Sequence, residues 1–225
     1  MIKAVFLDVD NTLLDFNACM QQSLERAFAE FGIDCTPEIM AVYARVNREL
    51  REKLLRGEIS REEHRKTRFA RIFAELGLAL DGPEFEDRFL AHLKTSAVRI
   101  DGAEELMRHL SGKYLVCVAS NTPHDGQDER LANAELLYAV QHVFTSKMFA
   151  CSKPSREFFD ACFKRLPDLK PEECIMIGDS LVNDIGGALD YGMHACWFNP
   201  KGAALPEGLD PDYVVHDLRE ICEIL

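Results

Sequence analysis

The sequence predicts an α/β fold, a doubly wound parallel sheet interrupted by an all-helical domain. Two observations predict it. Short apolar runs recur along most of the chain with helical patterns between them, the alternation expected of βαβ units. One long block, residues 16–98, breaks that alternation and carries only helical periodicity.

Taken in order, the first strand is residues 4–7, an Ala-Val-Phe-Leu run set between Lys3 and Asp8. Leu24, Ala27, Phe28 and Phe31 then recur at helical spacing. A second helix opens with Thr36 as N-cap and Pro37 at its first position. It runs through Val42, Val46 and Leu50 to Leu54, and Gly57 ends it. Ser60-Arg61-Glu62-Glu63 reads as a capping box for a third helix carrying Phe69, Ile72, Phe73 and Leu76, and a fourth spans 83–93. Beyond the block, strands at 115–119, 142–145, 174–177, 195–198 and 213–215 interleave with helices at 102–110, 128–138, 156–165, 184–191 and 218–224. The expected domains are a core of residues 1–15 and 99–225 and a helical lid of residues 16–98, hinged near 14–15 and 98–101.

Composition narrows the function classes. A chain of 225 residues holds one sizeable core, or a core plus a small accessory domain. Its 47 % hydrophobic and 28 % charged residues argue against disorder. A net charge of −12 disfavours nucleic acid and anionic membrane as partners. An acidic protein that accepts an anionic substrate then needs a local positive centre, from Lys, Arg or a metal ion. The first apolar run is too short for a signal-peptide core, and no stretch approaches the ~18–20 apolar residues of a membrane span. A soluble, cytoplasmic protein is therefore expected. The eight cysteines form no CxxC or CxxH pair and read as free structural thiols. The seven histidines, His124 among them, form no ligand pattern and receive no role.

Chemistry concentrates where strands end. The first strand runs into Asp8-Val9-Asp10-Asn11-Thr12, and residues two apart on an extended chain face one side, so Asp8 and Asp10 are presented together. Two acids after a strand also suit a plain turn. The second strand ends in Ser120-Asn121, Lys153-Pro154 precedes a helix, and the strand at 174–177 ends in Gly178-Asp179-Ser180-Leu181-Val182-Asn183-Asp184. In doubly wound sheets ligands bind beyond the carboxyl ends of the strands. Acids, a hydroxyl and one lysine converging there suit a magnesium ion and a phosphoryl group.

These four segments, in this order, resemble the motifs of the haloacid dehalogenase (HAD) superfamily, whose core is Rossmann-like and whose helical cap takes the place of residues 16–98. The resemblance implies a Mg²⁺-dependent phosphohydrolase acting on a small phosphorylated metabolite. Asp8 would attack phosphorus and form an aspartyl-phosphate, and Asp10 would protonate the leaving group and then activate water. Mg²⁺ would be held by Asp8, the Asp10 backbone carbonyl and Asp179, with Asp184 orienting that shell. Ser120, the Asn121 amide and Lys153 would bind phosphate. A catalytically idle member serving as a binding module is the alternative of another class, and the presence of Asp8, Asp10, Lys153, Asp179 and Asp184 weighs against it.

The second aspartate separates reactions within that superfamily, because dehalogenases lack it whereas phosphatases and phosphomutases carry it. Gly178-Asp179-Ser180 favours hydrolysis over the mutase pattern Glu-Asp-Ser. Departures occur at Thr122, where many relatives carry Gly, and at Ser146-Lys147-Met148-Phe149-Ala150, where Ser-Glu-x-x-Gly is usual. Both affect loop shape and neither removes a catalytic atom. The stretch 47–69 resembles bacterial pyrimidine 5′-nucleotidases, which makes Asn47, Arg48, Arg68 and Phe69 candidate contacts for a base or sugar. Polar residues on a solvated helix and an aromatic in the cap's own core would explain them equally well.

Overall fold

Six strands form one parallel sheet in the computed structural model, which describes residues 1–122 and 126–225, so that His124 lies outside the described residues. They are β1 (Ala4–Leu7), β2 (Leu115–Ser120), β3 (His142–Thr145), β4 (Cys174–Gly178), β5 (His194–Phe198) and β6 (Tyr213–Val215), in the spatial order β3-β2-β1-β4-β5-β6. β1 pairs with β2 from Ala4↔Leu115 to Leu7↔Val118, and with β4 from Ala4↔Cys174 to Leu7↔Ile177. The chain winds outward through β2 and β3, then returns to lay β4 on the other side of β1. The winding therefore reverses at β1 and β4, and the crevice beyond their carboxyl ends is the ligand position of such sheets.

The apolar runs are continuous because both faces of the sheet are covered. Val5, Leu7, Val116, Val118, Ile175 and Ile177 face one buried layer, and Ala4, Phe6, Cys117, Ala119 and Met176 face the other. The chain divides into two compact units, one of residues 1–18 with 97–225 and one of residues 19–96. Within the first unit the outgoing and returning segments are paired. Leu14 and Arg99 form an antiparallel bridge, Asp15 N donates to Val98 O (2.9 Å), and Ile100 N donates to Leu13 O (3.0 Å).

The second unit is built from α1 (Phe16–Glu30, which begins in the first unit), α2 (Pro37–Leu55), α3 (Arg61–Leu76) and α4 (Gly82–Thr95). Side chains cap all four: Asp15 accepts from Ala18 N, Thr36 from Ile39 N, Ser60 from Glu63 N and Asp81 from Glu84 N. Their inward stripes form an aromatic core of Phe28, Phe69, Phe73, Phe85 and Phe89. Inside this core lies a buried ion pair. Arg68 donates to both oxygens of Glu86 (Nε to Oε2 3.0 Å, Nη2 to Oε1 2.6 Å), and its Nη1 reaches Asn47 Oδ1 at 3.1 Å and the Tyr43 hydroxyl at 3.4 Å. Its guanidinium also stacks over the Phe69 and Phe89 rings. Burial raises the Glu86 pKa against the opposing pull of Arg68. Glu86→Gln should cost about 3–5 kcal/mol in urea unfolding, because it strands a buried guanidinium charge. The double replacement Arg68→Met with Glu86→Leu should recover most of that loss. A Glu86→Gln protein with an unchanged midpoint would refute this account.

The remaining helices pack on the sheet: α5 (Ala103–Leu110), α6 (Gln127–Asn133), α7 (Ser146–Phe149), α8 (Arg156–Phe163), α9 (Gly187–Tyr191) and α10 (Ile221–Ile224). Three differ from expectation, the helix expected over 218–224 opening as a 3₁₀ turn, Leu218–Glu220, before α10. The helix expected over 128–138 stops at Asn133, where Glu135 takes a left-handed conformation (φ 57°) and a 3₁₀ turn follows over Leu137–Ala139. The helix expected from Asp184 is preceded by a π-helical turn, Leu181–Gly186, that runs into α9. Among the described residues no helix is long and apolar enough to cross a membrane. All eight cysteines are free thiols.

Candidate active site

Asp8 follows β1 directly and still pairs with the sheet, its amide donating to Ile177 O at 2.9 Å. The chain then turns: the amides of Thr12, Leu13 and Leu14 all reach Val9 O, and Asn11 takes φ 67°, a left-handed conformation that Asn tolerates. β4 delivers Asp179 one residue past Gly178, and Trp197 on β5 fixes it by donating its indole N–H to the Asp179 carbonyl (3.0 Å). Ser180 caps the π-helical turn through Asn183 N (3.2 Å). That turn swings Asp184 back under β4. A Cβ at Gly178 would stand 2.3 Å from Asp184 Oδ2, so only glycine leaves room for that carboxyl.

Lys153 arrives from the loop before α8, and Asn121 holds that loop. The Asn121 amide group donates to Lys153 O (2.8 Å) while its oxygen accepts from Lys153 N (2.9 Å), a two-point clamp across the end of β2. On the other side, Gly187 lets Pro154 approach, since a Cβ there would meet Pro154 Cα at 2.9 Å. The Lys153 ammonium is buried and spends all three protons on protein acceptors: Asp8 Oδ1 (2.8 Å), Asp184 Oδ1 (2.6 Å) and the Ala119 carbonyl. Burial acts to lower its pKa, but Asp184 and Asp8 together outweigh that and hold it raised.

The carboxylates of Asp8, Asp179 and Asp184 each place an oxygen within 4.8 Å of the others. Burial, reinforced by the charge of Asp8, pushes Asp179 up to about 6. Burial also raises Asp184, whose Oδ1 accepts from Lys153 and whose Oδ2 accepts from Ser180 N (3.0 Å). Lys153 alone does not neutralise these acids. The hard oxygen donors and the surplus of negative charge fit a divalent cation such as Mg²⁺. Asp10 is not one of these three carboxylates, although the charges of Asp8 and Lys153 act on it. Its Oδ1 accepts from Arg130 Nη1 at 2.8 Å, and burial leaves its pKa raised although Arg130 pulls it down.

The structure thus brings Asp8, Lys153, Asp179 and Asp184 together, with Ser120 buried at the end of β2 and Asn121 beside it. Ser120 Oγ accepts from Thr122 N (3.3 Å), and Ser146 Oγ donates to Thr122 O (2.8 Å), so the two segments that depart from the family pattern are bonded to each other. The helical-unit candidates need revision. Phe69 is fully buried in the aromatic core, and Arg68 is engaged by Glu86, Asn47 and Tyr43. Both are explained by packing, whereas Arg48 is exposed and Asn47 half-buried. Sequence reasoning missed Arg130 and Trp197. Each sits far along the chain from the aspartate it touches, and the only signal was a charged or aromatic residue in an element bordering the crevice.

A family profile described as haloacid dehalogenase-like hydrolase matches residues 2–192. The chain is 30 % identical to the HAD-hydrolase YfnB of Bacillus subtilis, covering 99 % of this chain and 95 % of that protein. It is 29 % identical to the pyrimidine 5′-nucleotidase PynA of Streptococcus pneumoniae (99 % and 94 %) and 25 % identical to the pyrimidine 5′-nucleotidase YjjG of Escherichia coli (98 % and 96 %). The crystal structure of YfnB bound to magnesium superimposes with a TM-score of 0.89 over 100 % of this chain and 98 % of that one. With this match over most of its length, and with Asp10 two residues beyond Asp8, the chain belongs to the haloacid dehalogenase-like hydrolase family and is an enzyme of its phosphoric monoester hydrolase type.

Proposed function

We propose that this protein is a Mg²⁺-dependent, cytoplasmic phosphatase that cleaves a nucleoside 5′-monophosphate, with a pyrimidine base, through an aspartyl-phosphate. The observation that carries the reading is the meeting of Asp8, Asp179 and Asp184 at the switch point of the sheet, with Asp8 and Asp184 bonded to one buried ammonium. Asp8 Oδ2 is left to attack, since Oδ1 is held by Lys153. A bond forms from Asp8 to phosphorus as the bond to the ester oxygen breaks, and the departing oxygen takes the proton of Asp10. Asp10, now a carboxylate, removes a proton from water, which attacks phosphorus, releases inorganic phosphate and restores Asp8. Asp8, the Asp10 carbonyl and Asp179 would hold the Mg²⁺, which supplies charge neutralisation for the phosphoryl oxygens. Asp184, with both oxygens engaged by Lys153 and Ser180, keeps that lysine in place. Ser120 and the backbone N–H of Asn121 receive the phosphate.

Substrate choice is assigned to the helical unit, with Arg48 and Asn47 its remaining candidates. The nucleotidase reading draws on the likeness to PynA and YjjG along nearly the whole chain. Phosphate release measured across nucleoside monophosphates, hexose phosphates and phosphoglycolate should rank pyrimidine monophosphates first. EDTA should lower the rate at least ~10²-fold, and added Mg²⁺ should restore it. A clear preference for hexose phosphates or phosphoglycolate would overturn the nucleotidase part, and inactivity on every ester would overturn the whole.

A further inference from the structure

We propose that Arg130 is a positioning residue that aims Asp10 at the leaving group, an inference that rests on the phosphatase reading above. Arg130 Nη1 lies 2.8 Å from Asp10 Oδ1, with the Arg130 side chain 7 % exposed and that of Asp10 29 % exposed. The same Nη1 is 3.3 Å from Gln127 Oε1, one turn earlier on α6. The guanidinium is therefore held in one orientation before any substrate arrives.

The helix that carries it is itself anchored. Leu131, the next residue, is fully buried in the sheet's hydrophobic layer. At the other end of α6 the Ala134 carbonyl accepts from Arg99 Nη1 at 3.2 Å, and Arg99 is bridged to Leu14 at the close of the Asp10 turn. Asp10 is thus gripped twice, through its carboxyl by Arg130 and through its turn by the segment that α6 also binds. No described hydrogen bond reaches Asp10 Oδ2, so the grip on Oδ1 singles out Oδ2 as the oxygen that gives up and recovers the proton.

The electrostatics run in the productive direction. As the phosphorus–oxygen bond breaks, its electron pair goes to the departing oxygen, which takes the proton from Oδ2. A negative charge is left on Asp10 beside a guanidinium already in place, so no reorganisation is needed to stabilise it. Arg130 touches neither the phosphoryl group nor the nucleophile in this scheme and acts only through Asp10.

Leaving-group dependence separates this role from a merely structural one. An alkoxide needs a proton as it departs and p-nitrophenolate scarcely does. We compare kcat/KM, which reports the first chemical step, for p-nitrophenyl phosphate and for the alkyl phosphate that the wild type turns over fastest. With general-acid assistance worth about 10²–10⁴-fold, Arg130→Met should lower the alkyl-to-nitrophenyl ratio of kcat/KM at least ~30-fold, and Arg130→Lys should fall between it and the wild type. Equal losses on both esters, or no loss on either, would overturn the positioning role and leave the phosphatase reading intact. Failure of the wild type to cleave either ester would overturn that reading, and this inference with it.

Discussion

Asp8→Asn is expected to abolish phosphate release, by about 10⁴-fold or more, in a protein that still folds. The amide oxygen can accept from Lys153 as the carboxylate oxygen does at 2.8 Å, so the buried ammonium keeps that partner along with Asp184. Losing the charge also removes a repulsion, because Asp8 contributes to the raised pKa of Asp179, Asp184 and Asp10. The thermal midpoint should accordingly hold or rise while activity vanishes. This pairing of outcomes distinguishes loss of a nucleophile from loss of structure. Residual turnover within tenfold of wild type would show that Asp8 does not attack phosphorus.

Lys153→Met should have the second largest effect, on stability and activity together. Its side chain is 1 % exposed and lies between Asp8 and Asp184, the latter 2 % exposed. Breaking a buried pair strands the surviving charge, at about 3–5 kcal/mol. In metal-free protein the deficit should depend on pH. Asp184 already has a folded-state pKa above its unfolded value, and without Lys153, which pulls it down, it rises further, so the folded variant takes up that proton before the folded wild type as pH falls. The folded form is then favoured at low pH, and the gap between variant and wild type should narrow from pH 8 to pH 5. Activity should fall about 10²–10³-fold, as for other preorganised charge-stabilising groups. Urea unfolding in EDTA at the two pH values, with phosphate release at pH 7, checks both parts. A gap that widens toward low pH would contradict the assignment of Lys153 as the counter-charge of these acids.

Much of this was legible because it is local. Apolar runs of strand length report burial on both faces, which is why all six strands lie within a residue of their expected bounds. Helix starts were legible where a side chain closes the first turn, as at Thr36 and Ser60. Helix interiors were less so. The break after Asn133 and the π-helical turn at 181–186 depend on what the neighbouring segments demand: Asp184 must reach Lys153 and Ser180 N together. For Arg68 and Phe69 the sequence left substrate contact and a structural role level, and only their burial beside Glu86 and the aromatic core decided for packing.

From the sequence alone came the inventory: which oxygens and which ammonium stand at strand ends, and that a helical block separates the first from the rest. Short-range periodicity and turn chemistry determine these without knowledge of the neighbours. Tertiary structure decided how they are shared. It placed Lys153 between Asp8 and Asp184, let Asp184 pass Gly178, and handed Asp10 to an arginine 120 residues away. Contacts between distant segments follow from the packing of the sheet and its helices, and no local pattern encodes which charge will meet which.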